Sequence, residues 1–207
     1  MQIITIYPRG FGSNCYALTE DGENAIVIDP SQPRVEGELI KRGLKATCVL
    51  LTHCHFDHVR GVSALQQSGA KVLCSAEEKP LIGTIADMFD WANETRTPFQ
   101  ADDTFFDGEE KELCGIRVKA ILTPGHTKGG VCYLVTAKDG GRYLFTGDTL
   151  FKGTVGRTDF ITGSMEDMRE SMKKLAAIQE DAKLYPGHGA SSTLFEEKQN
   201  NSFLKDL

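Results

Sequence analysis

The chain has 207 residues, enough for one domain with a sizeable core. Its 40% hydrophobic and 25% charged content is that of an ordinary soluble globular protein. A net charge of −6 gives no electrostatic reason to expect a nucleic-acid or anionic-membrane partner.

The N-terminus, MQIITIYPRG, has no basic stretch ahead of a long apolar run, so no signal peptide is expected. No segment is long and apolar enough to span a bilayer, and a cytoplasmic location is expected. The six cysteines (Cys15, Cys48, Cys54, Cys74, Cys114, Cys132) are scattered singly, without CxxC spacing. They read as reduced, mostly buried thiols.

Strand-like runs open the chain at 2–7, 15–19 and 25–29, each rich in β-branched or aromatic residues and ending in turn residues. Residues 46–52, ATCVLLT, are almost continuously apolar, as in a strand buried on both faces. Val59, Val62 and Leu65 fit one helical face, with Gly69 placed to end the helix. A strand at 71–74 and an irregular helical stretch at 75–90 follow. From Trp91 to Gly108, aromatic residues lie among polar ones, as in a packed surface loop or the wall of a substrate site. Strands resume at 111–115, 116–123, 131–137 and 142–146. Ser164, with Asp167 three residues on, caps a helix whose apolar face is Met165, Met168, Met172, Leu175 and Ile178. A short strand at 183–186 and a helix at 192–204 complete the pattern, which is that of an α/β protein with one domain over residues 1–207.

All five histidines follow the C-terminal end of a predicted strand, and so does Asp148. Imidazole and carboxylate are the usual donors to zinc and other first-row divalent ions. Strand alternation turns His53, His55 and Asp57 one way, and turns Cys54 and His58 the other unless the chain bends. Seven candidates (His53, His55, Asp57, His58, His126, Asp148, His188) are too many for one tetrahedral ion. They suit two ions: His53, His55 and His126 on one, Asp57, His58 and His188 on the other, and Asp148 bridging. Zinc is expected first, iron or manganese next.

The motifs THCHFDH, TPGHT, TGDTLF and YPGHG, in that order, resemble the metallo-β-lactamase superfamily along nearly the whole chain. The resemblance implies a four-layered αβ/βα sandwich with a dinuclear site at one edge and the seven ligands just named. It also implies that Asp29, which ends AIVID, supports the ligands from behind. True β-lactamases commonly carry a cysteine where this chain has Asp148, which argues against lactamase activity. TGDTLFKGTVGRTDF (146–160) is similar to the glyoxalase II group, the hydroxyacylglutathione hydrolases, especially short bacterial members. The helical C-terminal domain of larger glyoxalase II enzymes is not expected here, since the chain ends 19 residues after His188. Arg157 and Asp159 of the GRTD stretch read as an ion pair or as a ligand-positioning pair. The expected function is hydrolysis of a small-molecule thioester by a hydroxide bridging two metals, with Asp57 and Asp148 steering the proton. A mononuclear iron persulfide dioxygenase using His53, His126 and Asp148 is the main alternative, and a metal-stabilised binding module without turnover the third. Oligomeric state has no signal in the sequence.

Overall fold

Successive side chains of a strand point to opposite faces, so a strand that is apolar throughout needs a partner layer on each side. The computed structural model, which describes residues 1–8, 10 and 12–205, meets that need with two six-stranded sheets. The first runs in chain order: β1 (Gln2–Ile6), β2 (Cys15–Thr19), β3 (Asn24–Ile28), β4 (Lys45–Leu50), β5 (Lys71–Ser75) and β6 (Asp103–Phe105). β1–β3 are antiparallel, and β3 to β6 are parallel. The second contains β7 (Glu110–Leu113), β8 (Ile116–Leu122), β9 (Val131–Thr136) and β10 (Arg142–Gly147). A small separate hairpin, β11 (Leu150–Phe151) with β12 (Thr154–Val155), follows β10. β13 (Lys183–Pro186) then pairs parallel to β10, and β14 (Ser192–Thr193) closes that edge.

Helices cover both outer faces. α1 (Val35–Ile40), α2 (Phe56–Val59) and α3 (Val62–Gln67) lie on the first sheet, where Leu39, Val59 and Leu65 pack on Ala17, Val27 and Val49. The neighbours Leu18, Ile26 and Leu50 point inward, against Val118, Tyr133 and Phe145 of the second sheet. The outer face of the second sheet, Cys132, Leu134 and Leu144, receives Met168, Met172 and Leu175 of α5 (Met165–Ala176) and Leu194 of α6 (Leu194–Asn200). The result is the helix–sheet–sheet–helix sandwich expected from the motifs. The α5 cap is the predicted one, the Ser164 side chain accepting from the Asp167 N–H at 3.2 Å.

Several elements differ from the sequence reading. The 59–69 helix is two short helices separated at Arg60 and Gly61. A Cβ at Gly61 would stand 2.5 Å from the Gln32 carbonyl oxygen, so the chain passes too close there for any side chain. Residues 75–90 hold two 3₁₀ turns and the start of α4 (Phe89–Ala92) rather than one helix. Residues 91–108 are neither wholly loop nor wholly wall: Phe105 is fully buried between the sheets on β6, whereas Trp91 is exposed. Met165 stands exposed at the start of α5 instead of completing its apolar face. α1, β11 and β12 carry too little periodicity to be anticipated. The six cysteines are unpaired and, apart from Cys114, buried. No helix among the described residues is long and apolar enough to cross a membrane.

Candidate metal centre

The C-terminal ends of β4, β8, β10 and β13 deliver His53, His126, Asp148 and His188 to one edge of the sandwich. His55 caps α2, and that one-turn helix is the bend that turns His58 back to the same side as His53 and His55. Strand alternation alone would have sent it away. Cys54 remains buried on the far side.

Hydrogen bonds fix three of the rings. Thr52 Oγ1 donates to Asp29 Oδ2 at 2.6 Å, so at 3.2 Å it can only accept from His53 Nδ1. His58 Nδ1 donates to Asp29 Oδ2 at 2.9 Å, and His126 Nδ1 to the Arg157 carbonyl oxygen at 2.7 Å. The rings of His53 and His126 therefore turn an Nε2 lone pair inward, and His58 turns its Nε2 the same way. Nε2 of His53 and His58 is buried with no hydrogen-bond partner, and so are His55 Nε2 and Asp148 Oδ1. Buried polar atoms are rarely left unpaired unless something else satisfies them.

The inward atoms gather into three groups whose members lie within 4.8 Å of one another: His53, His55 and His126; His53, His58 and Asp148; Asp57, His58 and His188. Asp148 stands between the outer two. Its Oδ1 is 3.3 Å from His58 Nε2, and its Oδ2 is 3.6 Å from both His126 Nε2 and His188 Nε2. Asp57 Oδ2 is 3.2 Å from His188 Nε2. Burial, with neighbouring imidazoles, holds His53 well below the usual histidine range and His55 down to about 3. Burial works against a charged His58 too, but Asp148, Asp57 and Asp29 outweigh it and raise it well above that range. Burial would likewise raise Asp148, yet the facing His58 imidazole holds its carboxyl below the usual range. A positive charge is thus favoured between these carboxylates. The donor set and the orphaned atoms fit divalent ions.

Asp29 lies behind the His58 ring and accepts from both His58 and Thr52. Arg157 and Asp159 form the ion pair, two bonds of 2.7 Å at the surface, and it is the Arg157 backbone that touches His126. Three features lay outside the sequence reading, apart from the Trp91 wall of the third. Thr52 links Asp29 to His53. Glu78 is fully buried behind the site and ties two ligand loops together: it accepts from the Cys54 N–H at 2.8 Å, from Thr127 Oγ1 at 2.8 Å and from the Gly129 N–H at 3.1 Å. The third is a cavity of about 450 Å³ above the His/Asp floor, walled by Phe56, Met88, Trp91, Phe151 and Phe160.

A sandwich of this topology with a convergent His/Asp floor at one edge defines a metallo-hydrolase-type protein. Residues 8–188 match the model of the metallo-beta-lactamase superfamily, and the chain belongs to that superfamily. The hydroxyacylglutathione hydrolase GloC of Haemophilus influenzae is 32% identical over 99% of this chain and 98% of its own. Among solved structures, the BLEG-1 B3 metallo-beta-lactamase superposes with a TM-score of 0.88 at 27% identity, over 98% of this chain and 99% of that one. TTHA1623, solved in a di-iron-bound form, gives 0.79 at 28% identity, over 99% and 100%.

Proposed function

We propose that the chain is a metal-dependent hydrolase of a small-molecule thioester, of the hydroxyacylglutathione hydrolase (glyoxalase II) type, acting with two divalent ions. The observation that carries this reading is the pair of donor triads on either side of Asp148, at the floor of an open cavity. His53, His55 and His126 would hold one ion, Asp57, His58 and His188 the other, with Asp148 shared. Zinc suits so histidine-rich a set, with iron or manganese as alternatives, and the di-iron relative supports keeping iron among them. Bound ions would supply a Lewis acid and a water acidic enough to serve as nucleophile near neutral pH. The protein's share is to hold the rings in one tautomer and to present Asp57 Oδ2 and Asp148 Oδ2 as proton acceptors beside the cavity. The full-length similarity to GloC supports a thioester as substrate. A cytoplasmic location without nucleic-acid or membrane partner accords with the acidic chain.

The persulfide dioxygenase alternative would use only His53, His126 and Asp148 and leave four converging donors without a task. Metal content of protein purified without added metal, measured beside three assays, tests the proposal. The assays are thioester hydrolysis, oxygen consumption with glutathione persulfide, and nitrocefin cleavage. Two ions per chain with thioester turnover is expected. One iron with oxygen consumption would replace the proposal with the dioxygenase, β-lactam cleavage alone with a lactamase, and no turnover in metal-replete protein with a binding module.

A further inference from the structure

The cavity walls have a character that the metal chemistry does not require. Trp91, the chain's one tryptophan, is 68% exposed at the cavity mouth. Its ring lies 5.7 Å from that of Phe160, which stands edge-on to His55 at 5.7 Å. An aromatic surface thus runs from solvent down to the floor. Large apolar side chains left in water beside a cavity mark a place where a ligand covers them.

The Trp91 platform is firmly built. Met88 and Asn93, at either end of α4, both have left-handed backbones (φ 64° and 54°). In a methionine such geometry persists only where the surroundings impose it, whereas asparagine adopts it readily at a helix end. Here Phe89 is locked in the core, and Arg96 binds Asp87 twice, at 2.7 and 2.8 Å, while covering the Phe89 ring.

Charge narrows the occupant. The cation among the described lining residues, Arg157, pairs with Asp159 at 2.7 Å and lies 3.9 Å over the Phe160 ring. A carboxylate-bearing arm along this wall would have to take Arg157 from Asp159. Thiol carriers end in amides or carboxylates, which need polar partners when buried; an aryl or branched alkyl group needs none.

We propose that the site selects thioesters with an apolar acyl arm, aromatic or branched, seated against Trp91 and Phe160; this rests on the thioester reading above and takes the acyl group to be apolar rather than hydroxylated. The test uses metal-replete protein and N-acetylcysteamine thioesters carrying acetyl, lactoyl, isovaleryl or phenylacetyl groups. The kcat/KM is expected to rise about tenfold or more from acetyl to phenylacetyl, mostly through KM. Trp91→Ala and Phe160→Ala, checked for unchanged circular dichroism, should flatten the series. A flat series in the unaltered protein, or a preference for lactoyl over isovaleryl, overturns the proposal. Emission of Trp91 gives a readout independent of turnover. Titration with the uncleavable phenethyl thioether of N-acetylcysteamine should change it saturably, at concentrations about tenfold below those needed with the ethyl thioether. Equal affinities overturn the proposal. If no thioester is cleaved, the thioester reading fails, and the titration alone decides whether an apolar arm occupies this wall.

Discussion

His126 Nε2 and His55 Nδ1 face each other at 2.9 Å across the floor of the cavity. The Arg157 carbonyl already holds the His126 Nδ1 proton, so the nitrogen turned towards His55 is a lone pair. His53 lies within 4.8 Å of both, with its own lone pair inward. Three imidazoles around one point attract a cation, which would displace the proton held between His55 and His126, and binding it only in the folded state must stabilise the fold. At a free zinc concentration 100 times Kd the gain is about 2.7 kcal/mol, or about 5–10 °C in melting temperature for a chain of this size. Scanning calorimetry of chelator-treated protein with and without zinc measures it. An unchanged melting temperature would remove this cluster as a metal site.

Gly187 tests how tightly the floor is built. A Cβ there would lie 2.3 Å from Asp148 Oδ1 and 2.7 Å from His58 Cε1. The backbone cannot retreat: the Gly187 N–H donates to the Gly147 carbonyl at 2.8 Å, and its carbonyl accepts from the Asn14 N–H at 2.7 Å. Gly187→Ala should therefore displace Asp148 and His58 rather than the chain. The expected cost is about 1–3 kcal/mol of stability and on the order of 100-fold in turnover. Metal stoichiometry should fall along with activity. A variant with the original rate and two bound ions would show that Asp148 is not shared.

Asp29 holds three donors with two oxygens: the Thr52 N–H at 2.8 Å, the Thr52 hydroxyl at 2.6 Å and His58 Nδ1 at 2.9 Å. Asp29→Asn presents an N–H to at least one of them. Metal affinity should drop about 10- to 100-fold, and stability by about 1–3 kcal/mol from the donor left unpaired. Competition against a chromophoric chelator reads the first, urea denaturation the second. Equal metal affinity in both proteins would reduce Asp29 to a turn residue.

What the sequence revealed and what it hid follow from the range of the interactions. The sheet strands were legible because β4 and β9 are apolar on both faces, and only a strand between two layers needs that. The convergence of the candidate donors was legible because the histidines are few and all of them follow strands. His58 was the exception in direction, since the bend at His55 depends on a four-residue helix too short for any periodic signal. Phe105 read as part of a loop because the apolar signal of a three-residue strand is one side chain. Glu78 could not be found at all: a charged residue in an irregular polar stretch reads as surface until the fold buries it among three donors 24 to 51 residues away.

Glu78 is for that reason the most informative residue to change. Its Oε1 takes the N–H of Cys54, between His53 and His55; its Oε2 takes Thr127 and Gly129, just past His126. The backbone of Gly129 is so close that a Cβ there would sit 2.2 Å from the Glu78 nitrogen. In Glu78→Gln the amide nitrogen must face one of those two loops, donor against donor. The expected loss is about 1–3 kcal/mol in stability, with metal affinity reduced because the loop that loses its anchor carries ligands. Burial pushes the Glu78 carboxyl above the ordinary glutamate range, although the donors around it act to lower it. The folded state therefore keeps its proton to higher pH than the unfolded state does. By linkage, this group's contribution is most favourable below its unfolded pKa and is lost as pH rises through the folded one. Wild-type stability should accordingly carry a downward component from about pH 4 upward, and Glu78→Gln, which cannot titrate, should lack it. Urea denaturation of both chelator-treated proteins across that range isolates the component. Identical pH profiles would mean that Glu78 is as readily ionised in the folded as in the unfolded state.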